Sequence, residues 1–488
     1  MLDELVAASD LLYAAALERY SVACSTIRKS CARGDKPHTV IHQLLLRMGT
    51  EVELAASLEV KLRQAKTAIS WSMNRMLSNV HTTINSLPPE ILSRIFHLVV
   101  TSQPCAKRDY RRIPEVAVPA YPIVLSHVCS RWREITLDSP TLWSHLDIAT
   151  SQLLNRQRLH DRTELHLNQV GQLPLDPDIF KPLGYSVSNS HPSDFATLVE
   201  LITRLASRTC SFQLDARSGY FHPVHSEILS YFLQGCVADR LTQLTLRRRH
   251  DELGDDGDGY GFLKSEDDRD AGGLEVGVST RDLEDILSHV TVLRLEGLYP
   301  RWNSRAYHGL TELRLNGAEF RINESDLVGI LRLSPCLCVF EFGLIIGNPI
   351  PINTQVSPIP LSSLETLNLM AMQCHQLPTL LRWLAPGPKP LQLALERLPE
   401  EELSLKDSSR LFFSRSHITR AYFIGPRLDD LLDFLELSPH LRVLVLRRLD
   451  PLGPPTSWNF RNINFVLCDP REPCPTAEWG MFAPDEEP

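Results

Sequence analysis

The sequence predicts an α/β protein in which N-terminal helices and a helical hairpin lead into a long solenoid of alternating strands and helices. Three observations carry that prediction. Two proline-free stretches rich in Ala, Leu, Glu and Arg lie within residues 1–80. Two short apolar stripes at helical spacing flank a proline-containing loop between residues 84 and 148. A six-position apolar pattern, Φ-x-x-Φ-x-Φ, returns through the C-terminal two-thirds.

At 488 residues the chain is long enough for more than one folding unit. Hydrophobic residues make up 43% and charged residues 22%, the balance of a chain that folds over most of its length. A formal net charge of −9 disfavours nucleic acid and membrane as partners. The N-terminus, Met1-Leu2-Asp3-Glu4-Leu5, is acidic where a secretory signal is basic, and no apolar run reaches the ~18 residues of a membrane span. An intracellular protein, cytoplasmic or nuclear, is expected. The 11 cysteines include no CxxC pair, and the closest two, Cys336 and Cys338, fall in an apolar strand-like stretch. They are expected to be reduced core thiols, with no metal and no cofactor.

Residues 1–30 and about 40–80 each predict a helix, separated by the breaker cluster Cys31-Ala32-Arg33-Gly34-Asp35-Lys36-Pro37. In the second, Ile41, Leu45, Met48, Val52 and Ala55 follow 4-3-4-3 spacing, which Leu58, Leu62, Ala65, Ile69 and Met76 resume after a phase slip. Two readings stay open: a coiled coil, with self-association through residues 40–80, or a long amphipathic helix packed on its own chain. The first unit thus spans residues 1–83.

Next comes Ile84-Asn85-Ser86-Leu87-Pro88-Pro89-Glu90, a helix start in which Pro88 suits the first helical position and Glu90 meets the exposed amides. Ile91, Leu92, Ile95, Phe96 and Val99 then share one broad face. A second helix-like stretch, Ile123 to Arg133, places Leu125, Val128, Cys129 and Trp132 at i, i+3, i+4 and i+7, and Asp138-Ser139-Pro140-Thr141-Leu142-Trp143 follows as a turn.

Leu87-Pro88-x-Glu90-Ile91-Leu92 with Ile95-Phe96, and Val128-Cys129-x-x-Trp132 downstream, resembles the F-box family, and Ser139-Pro140-x-Leu142-Trp143 is similar to a form common in its fungal members. The resemblance implies a compact helical domain at residues 84–148. By the same resemblance that domain is expected to dock on the Skp-family adaptor, which bridges to a cullin scaffold carrying the catalytic RING and conjugating enzymes. It also implies that Leu87, Pro88, Glu90, Ile91, Leu92, Ile95, Phe96, Leu125, Val128, Cys129 and Trp132 form the adaptor-binding motif. The departure from the family is the long insertion near residues 100–121, with three prolines and the basic cluster Lys107, Arg108, Arg111 and Arg112, expected to be an exposed loop.

The six-position pattern occurs at Leu241-Leu244-Leu246, Val290-Leu293-Leu295, Leu310-Leu313-Leu315, Leu337-Phe340-Phe342, Leu364-Leu367-Leu369 and Leu441-Leu444-Leu446, with weaker copies near Leu391 and Ile418. Helix-like runs at 325–331 and 428–435 end in Leu333-Ser334-Pro335 and Leu437-Ser438-Pro439 just before a strand, and Phe195 to Leu205 followed by Ser211-Phe212-Gln213-Leu214 reads the same way. This resembles the leucine-rich repeat family, a strand and a helix per unit. The family's asparagine would fall at Arg249, Leu298, Ala318, Ile345, Met372 and Leu449, so its ladder is absent and the turn amides need other partners.

The solenoid is expected over 149–460, with an acidic insertion near 251–273 read as solvated and flexible, and a tail over 461–488. The insertion is not a calcium loop, since Tyr260 takes a ligand position and Asp267 replaces the closing Glu. If the strands line a concave face, Arg247, Arg294, Glu296, Glu312, Arg314, Asn316, Glu341, Asn368 and Arg447 alternate with the buried leucines and become the candidate substrate-binding surface.

No phosphate-binding glycine loop, HExxH pair or GxSxG elbow is present, and His127, His145, His289, His375 and His417 lack local partners, so catalytic residues are not expected. The functional expectation is a substrate receptor of a Skp-cullin-F-box ubiquitin ligase holding a protein substrate on its repeats. The alternative is a protein-interaction scaffold outside any ligase.

Overall fold

The computed structural model describes residues 84–102, 120–150, 156–180, 195–216, 223–248, 261–268, 273–351, 354–396, 403–424, 434–447 and 463–468, with a few helical residues within 21–29 and 61–69. Most of the 4-3 seam, the basic loop residues, the start of the acidic insertion and the tail beyond 468 lie outside the described residues; Ala65 and Ile69 of the seam are helical and exposed. The chain divides into two units, Met1–Pro88 and Pro89–Pro488. In the first, Ile84–Ser86 form a 3-10 turn that the Leu87 N–H closes onto the Ile84 carbonyl (3.2 Å).

The second unit opens with helices α1 (Pro89–Ser102), α2 (Ile123–Ser126) and α3 (Ser130–Leu137) and a 3-10 turn, Pro140–Trp143. Among the described residues a 12-stranded sheet follows, its strands taken in chain order, beside two small two-stranded sheets. They are β1 (His145–Ala149), β2 (Asp176–Phe180), β3 (Ser211–Ala216), β4 (Gln243–Arg248), β5 (Val292–Glu296), β6 (Glu312–Asn323), β7 (Val339–Gly347), β8 (Thr366–Leu369), β9 (Leu391–Leu395), β10 (Ile418–Ile424), β11 (Val443–Arg447) and β12 (Asn464–Cys468). Every neighbouring pair is parallel, so each strand needs a crossover before the next.

Helices supply most crossovers: α4 (Arg156–Val170), α5 (Ala196–Ala206), α6 (Pro223–Gly235), α7 (Thr280–Leu287), α8 (Glu324–Leu333), α9 (Leu377–Leu381) and α10 (Leu403–Arg415). The six-position pattern works because its last two apolar positions lie on the same side of each strand. Phe212, Leu244, Leu293, Leu313, Phe340, Leu367, Leu393, Ala421 and Leu444 are register partners in one line across the sheet, and none is more than 1% exposed. Helices pack on that side, where Phe232 of α6 stacks on Phe212 with ring centroids 3.7 Å apart. The weak copies at Leu391 and Ile418 are β9 and β10.

Three expectations change. Residues 261–268 are folded rather than a solvated loop: Leu263–Ser265 pairs with Leu274–Val276, Leu263 and Ser265 are buried, and the Thr280 amide and hydroxyl donate to Asp267 (2.8 and 2.7 Å), holding its carboxyl down at about 2. The sheet continues past residue 460 as β12. The cysteines whose side chains are described are free thiols and none of those is core: Cys24, Cys336 and Cys374 are exposed, and Cys129, Cys210, Cys236 and Cys338 half-buried.

Without the asparagine ladder, side chains of other types satisfy the turns. Tyr299 accepts from the Gly297 amide (2.9 Å) and donates to the Asn316 carbonyl. Gln376 accepts from Ile346 N–H (2.8 Å), and Ser334, of the first Leu-Ser-Pro stop, donates to Tyr307 O (2.8 Å) while accepting from Leu310 N–H (3.1 Å). Gly297 has φ +70, and a Cβ there would meet Arg248 O at 2.2 Å, so this turn admits only glycine.

Candidate functional site

Helix α1 starts at Pro89, one residue later than the sequence suggests, with Glu90 in its first turn. Either proline suits a position that needs no amide donor, and spacing alone does not choose between them. Leu92 and Phe96, one turn apart, are fully buried, and the Phe96 ring lies 4.7 Å from that of Trp132. Ser93 meets Ser139 (3.1 Å), Thr141 meets His97 (3.0 Å), and buried Trp143 donates through Nε1 to Thr136 O (2.9 Å). These contacts fasten α1 to the 3-10 turn and tie that turn to α3. Leu92, Phe96 and Leu125 therefore build the interior of the helical region rather than its surface.

The stretch Ile123–Arg133 is not one helix. After α2 the backbone extends at Cys129 (φ −158, ψ 172), whose sulfur accepts the Trp132 N–H (3.5 Å) and caps α3. Thiols are outside the usual Ser, Thr, Asp and Asn capping set, so the spacing reads as continuous. The break separates the four residues of the expected stripe: Leu125 points inward while Val128 is 54% exposed.

The other motif residues face outward or lie half-buried. Ile91 is 49% exposed, Pro88 and Glu90 are exposed, and Leu87, Ile95, Cys129 and Trp132 are half-buried. Sequence reasoning missed Leu98 and Val124, 58% and 44% exposed. Leu98 lies seven residues from Ile91 and extends its stripe along α1, a signal the spacing already contained.

Residues 84–149 match the F-box-like family model. No curated protein matches the chain. The F-box-like domain ends with the last residue of β1, so the match runs into the first strand of the sheet. Arg162 of α4 reinforces the junction, donating to Asp147 of β1 (2.9 Å) and to Tyr121 O (3.0 Å). His166 bonds His145 O through Nδ1 (3.0 Å) and meets Trp143 edge-on (5.1 Å). Burial, and then the nearby Arg162 charge, push His166 down to about 3.

At the same junction His145, Asp147 and Asp178 bring ligand-type atoms within 4.8 Å of one another. The sequence did not show this grouping because the Asp147–Asp178 register creates it. Arg162 brings a guanidinium to Asp147 and supplies positive charge to the group.

Beyond the F-box-like domain, the candidate substrate-face residues do lie opposite the leucines, but five of them are occupied with one another. Arg294 donates to Glu312 through Nε and Nη2 (2.6 and 3.1 Å), Arg314 donates to Glu312 (2.6 Å) and Glu341 (3.0 Å), and Asn316 donates to Glu341 (2.6 Å). Against the upward push of burial, the two guanidiniums hold the Glu312 carboxyl below its ordinary value. Arg314, Glu341, Asn368 and Arg447 are buried, Arg247 lies 3.8 Å from Asp215, and Glu296 is half-buried. Three strands, β5, β6 and β7, thus share one ionic network.

No helix among the described residues is long and apolar enough to cross a membrane.

Proposed function

We propose that this protein is the substrate-receptor subunit of a Skp-cullin-F-box ubiquitin ligase. The F-box-like domain docks on the Skp-family adaptor, and the sheet recruits a protein substrate. One observation supports this reading above the others: within the F-box-like domain, the large apolar residues of the two motif helices α1 and α2 and the turn after them include an interior set, Leu92, Phe96 and Leu125, and an outward set, Ile91, Leu98, Val124 and Val128. A domain that only closed on its own chain has no use for the outward set, whereas a few large apolar side chains dominate an interface. The chain makes and breaks no bonds itself; it holds a substrate for enzymes bound further along the assembly.

The junction at β1 gives this reading a mechanical basis. Because the domain's last strand is also the sheet's first, and Arg162 and His166 bond across it, a substrate on the sheet keeps a fixed orientation to the adaptor.

Co-purification with a Skp-family adaptor tests the proposal. The native chain is expected to retain the adaptor, and the full chain carrying Ile91→Asp and Leu98→Asp is expected to lose it while melting at the native temperature. A native chain that ignores the adaptor leaves the scaffold as the better account.

A further inference from the structure

At the F-box end of the sheet, the face opposite the leucines carries an imidazole and two carboxylates at one point. Alternation puts His145 and Asp147 on the same side of β1, and the parallel register sets Asp178 of β2 level with Asp147. One ligand-type atom from each residue lies within 4.8 Å of the other two. Asp147 and Asp178 are 1% and 4% exposed, whereas the His145 side chain is 31% exposed, so an ion reaches the group past the imidazole.

That imidazole is already oriented as a ligand. Its Nδ1 lies 3.0 Å from Oδ2 of Asp176, and a carboxylate only accepts, so Nδ1 carries the proton and donates. In the neutral ring Nε2 then holds a lone pair, 3.4 Å from Oδ1 of Asp147. Two acceptors at that distance suit a shared cation. A shared proton would draw them to about 2.7–2.9 Å, the length of a charge-assisted hydrogen bond. With bonds of ~2.0–2.2 Å, two ligands of a tetrahedral zinc ion stand ~3.4 Å apart, the spacing observed. The widest separation in the group exceeds that by at most ~1.4 Å, within reach of a carboxylate rotation. Arg162 leaves the position open, because its Nη1 donates to Oδ2 of Asp147 and not to Oδ1. A carboxylate on the far nitrogen, as Asp176 is here, commonly fixes the tautomer of a metal-bound histidine and raises its basicity. The imidazole favours Zn2+ over Mg2+ or Ca2+, which prefer oxygen throughout. The sequence expectation of no metal rested on cysteine spacing, and this set uses no cysteine.

We propose that His145, Asp147 and Asp178 form a zinc site, with Asp176 orienting the imidazole and water completing the coordination. Because β1 closes the F-box-like match and β2 lies beyond it, the ion ties the F-box-like domain to the rest of the sheet. Zinc then stabilises the folded junction, since the unfolded chain does not hold the three ligands together. The site stands whether or not the adaptor docks.

The test uses the purified full chain, stripped with a chelator and desalted, and Zn2+ alone as the probe, titrated against a competing chromophoric chelator. Cysteines and histidines elsewhere also take zinc, so three variants locate the tightest site: His145→Gln, Asp178→Asn and Asp176→Asn. The native chain is expected to hold one zinc ion that the first two variants lose and that Asp176→Asn holds about 10–100-fold more weakly. Zn2+ is expected to raise the melting temperature of the native chain and not that of His145→Gln or Asp178→Asn. Co2+ in the same site is expected to give d–d absorption without a thiolate charge-transfer band. His145 is half-exposed, so His145→Gln is expected to melt with the native chain in chelator and decides the outcome even where Asp178→Asn unfolds. A native chain that binds no zinc, equal affinity in the native chain and His145→Gln, or a thiolate band at the tightest site overturns the proposal.

Discussion

Glu312 offers a quantitative check on whether the charged face of the sheet holds the fold together. Its carboxylate accepts from Arg294 across the β5–β6 interface and from Arg314 two residues along its own strand, with side-chain exposures of 14%, 28% and 8% for Glu312, Arg294 and Arg314. Removing one partner of a buried ion pair costs roughly 3–5 kcal/mol, because the remaining charge stays desolvated. Water reaches this network from one side, so Glu312→Ala is expected to cost about 2–3 kcal/mol. Glu312→Gln keeps an acceptor and loses the charge, for about 1 kcal/mol. The sign with pH is fixed. A carboxyl whose folded pKa lies below its unfolded value stabilises the protein above that unfolded value and loses its effect as pH falls through the folded one. The gap between native protein and Glu312→Ala must therefore be full at pH 7 and shrink as the pH drops well below the ordinary carboxylate range. Equilibrium urea unfolding of the full chain at pH 7 and pH 3 measures it. A cost under about 0.5 kcal/mol at pH 7, or an equal cost at both pH values, refutes a network that supports the fold.

Three further outcomes are expected. Ile91 and Val128 are each about half exposed, and burying the rest of each side chain contributes about 1 kcal/mol, so Ile91→Ala with Val128→Ala should weaken adaptor binding about 30-fold with little change in melting temperature. Phe96→Ala empties a fully buried site against Trp132 and should cost about 3–5 kcal/mol of stability, read as a lowered melting temperature whether or not adaptor is present. For His166, the unfolded chain binds a proton that the folded one refuses until pH falls to about 3, so stability declines below the ordinary histidine value of 6.5. The loss is roughly 2 kcal/mol by pH 5, and His166→Leu should remove that part of the pH dependence in thermal melts at pH 7.5 and 5.

Much of the sheet was legible because its signal is local and repeated. A six-residue pattern of leucines needs no tertiary information, and even the degenerate copies at Leu391 and Ile418 mark real strands. Strand β2, Asp176-Pro177-Asp178-Ile179-Phe180, was invisible, since aspartates and a proline argue against a strand until Ile179 and Phe180 are seen to be fully buried. In the F-box-like domain the motif named candidate residues but not which way they point. Periodicity placed Leu125 and Val128 on one stripe, and the end of α2 at Ser126, ahead of the cysteine cap of α3, reversed that. The substrate-face residues were placed on the correct side by alternation. Their mutual pairing depends on register between β5, β6 and β7, which no single strand encodes.

The central claim is that the exposed apolar residues of the F-box-like domain form an adaptor-binding surface. Calorimetric titration of the purified full chain with a Skp-family adaptor measures this directly. The account predicts saturable one-to-one binding with a negative heat-capacity change, the mark of apolar burial. A folded chain that gives no binding heat at several temperatures, with adaptor at about 100 µM, contradicts it.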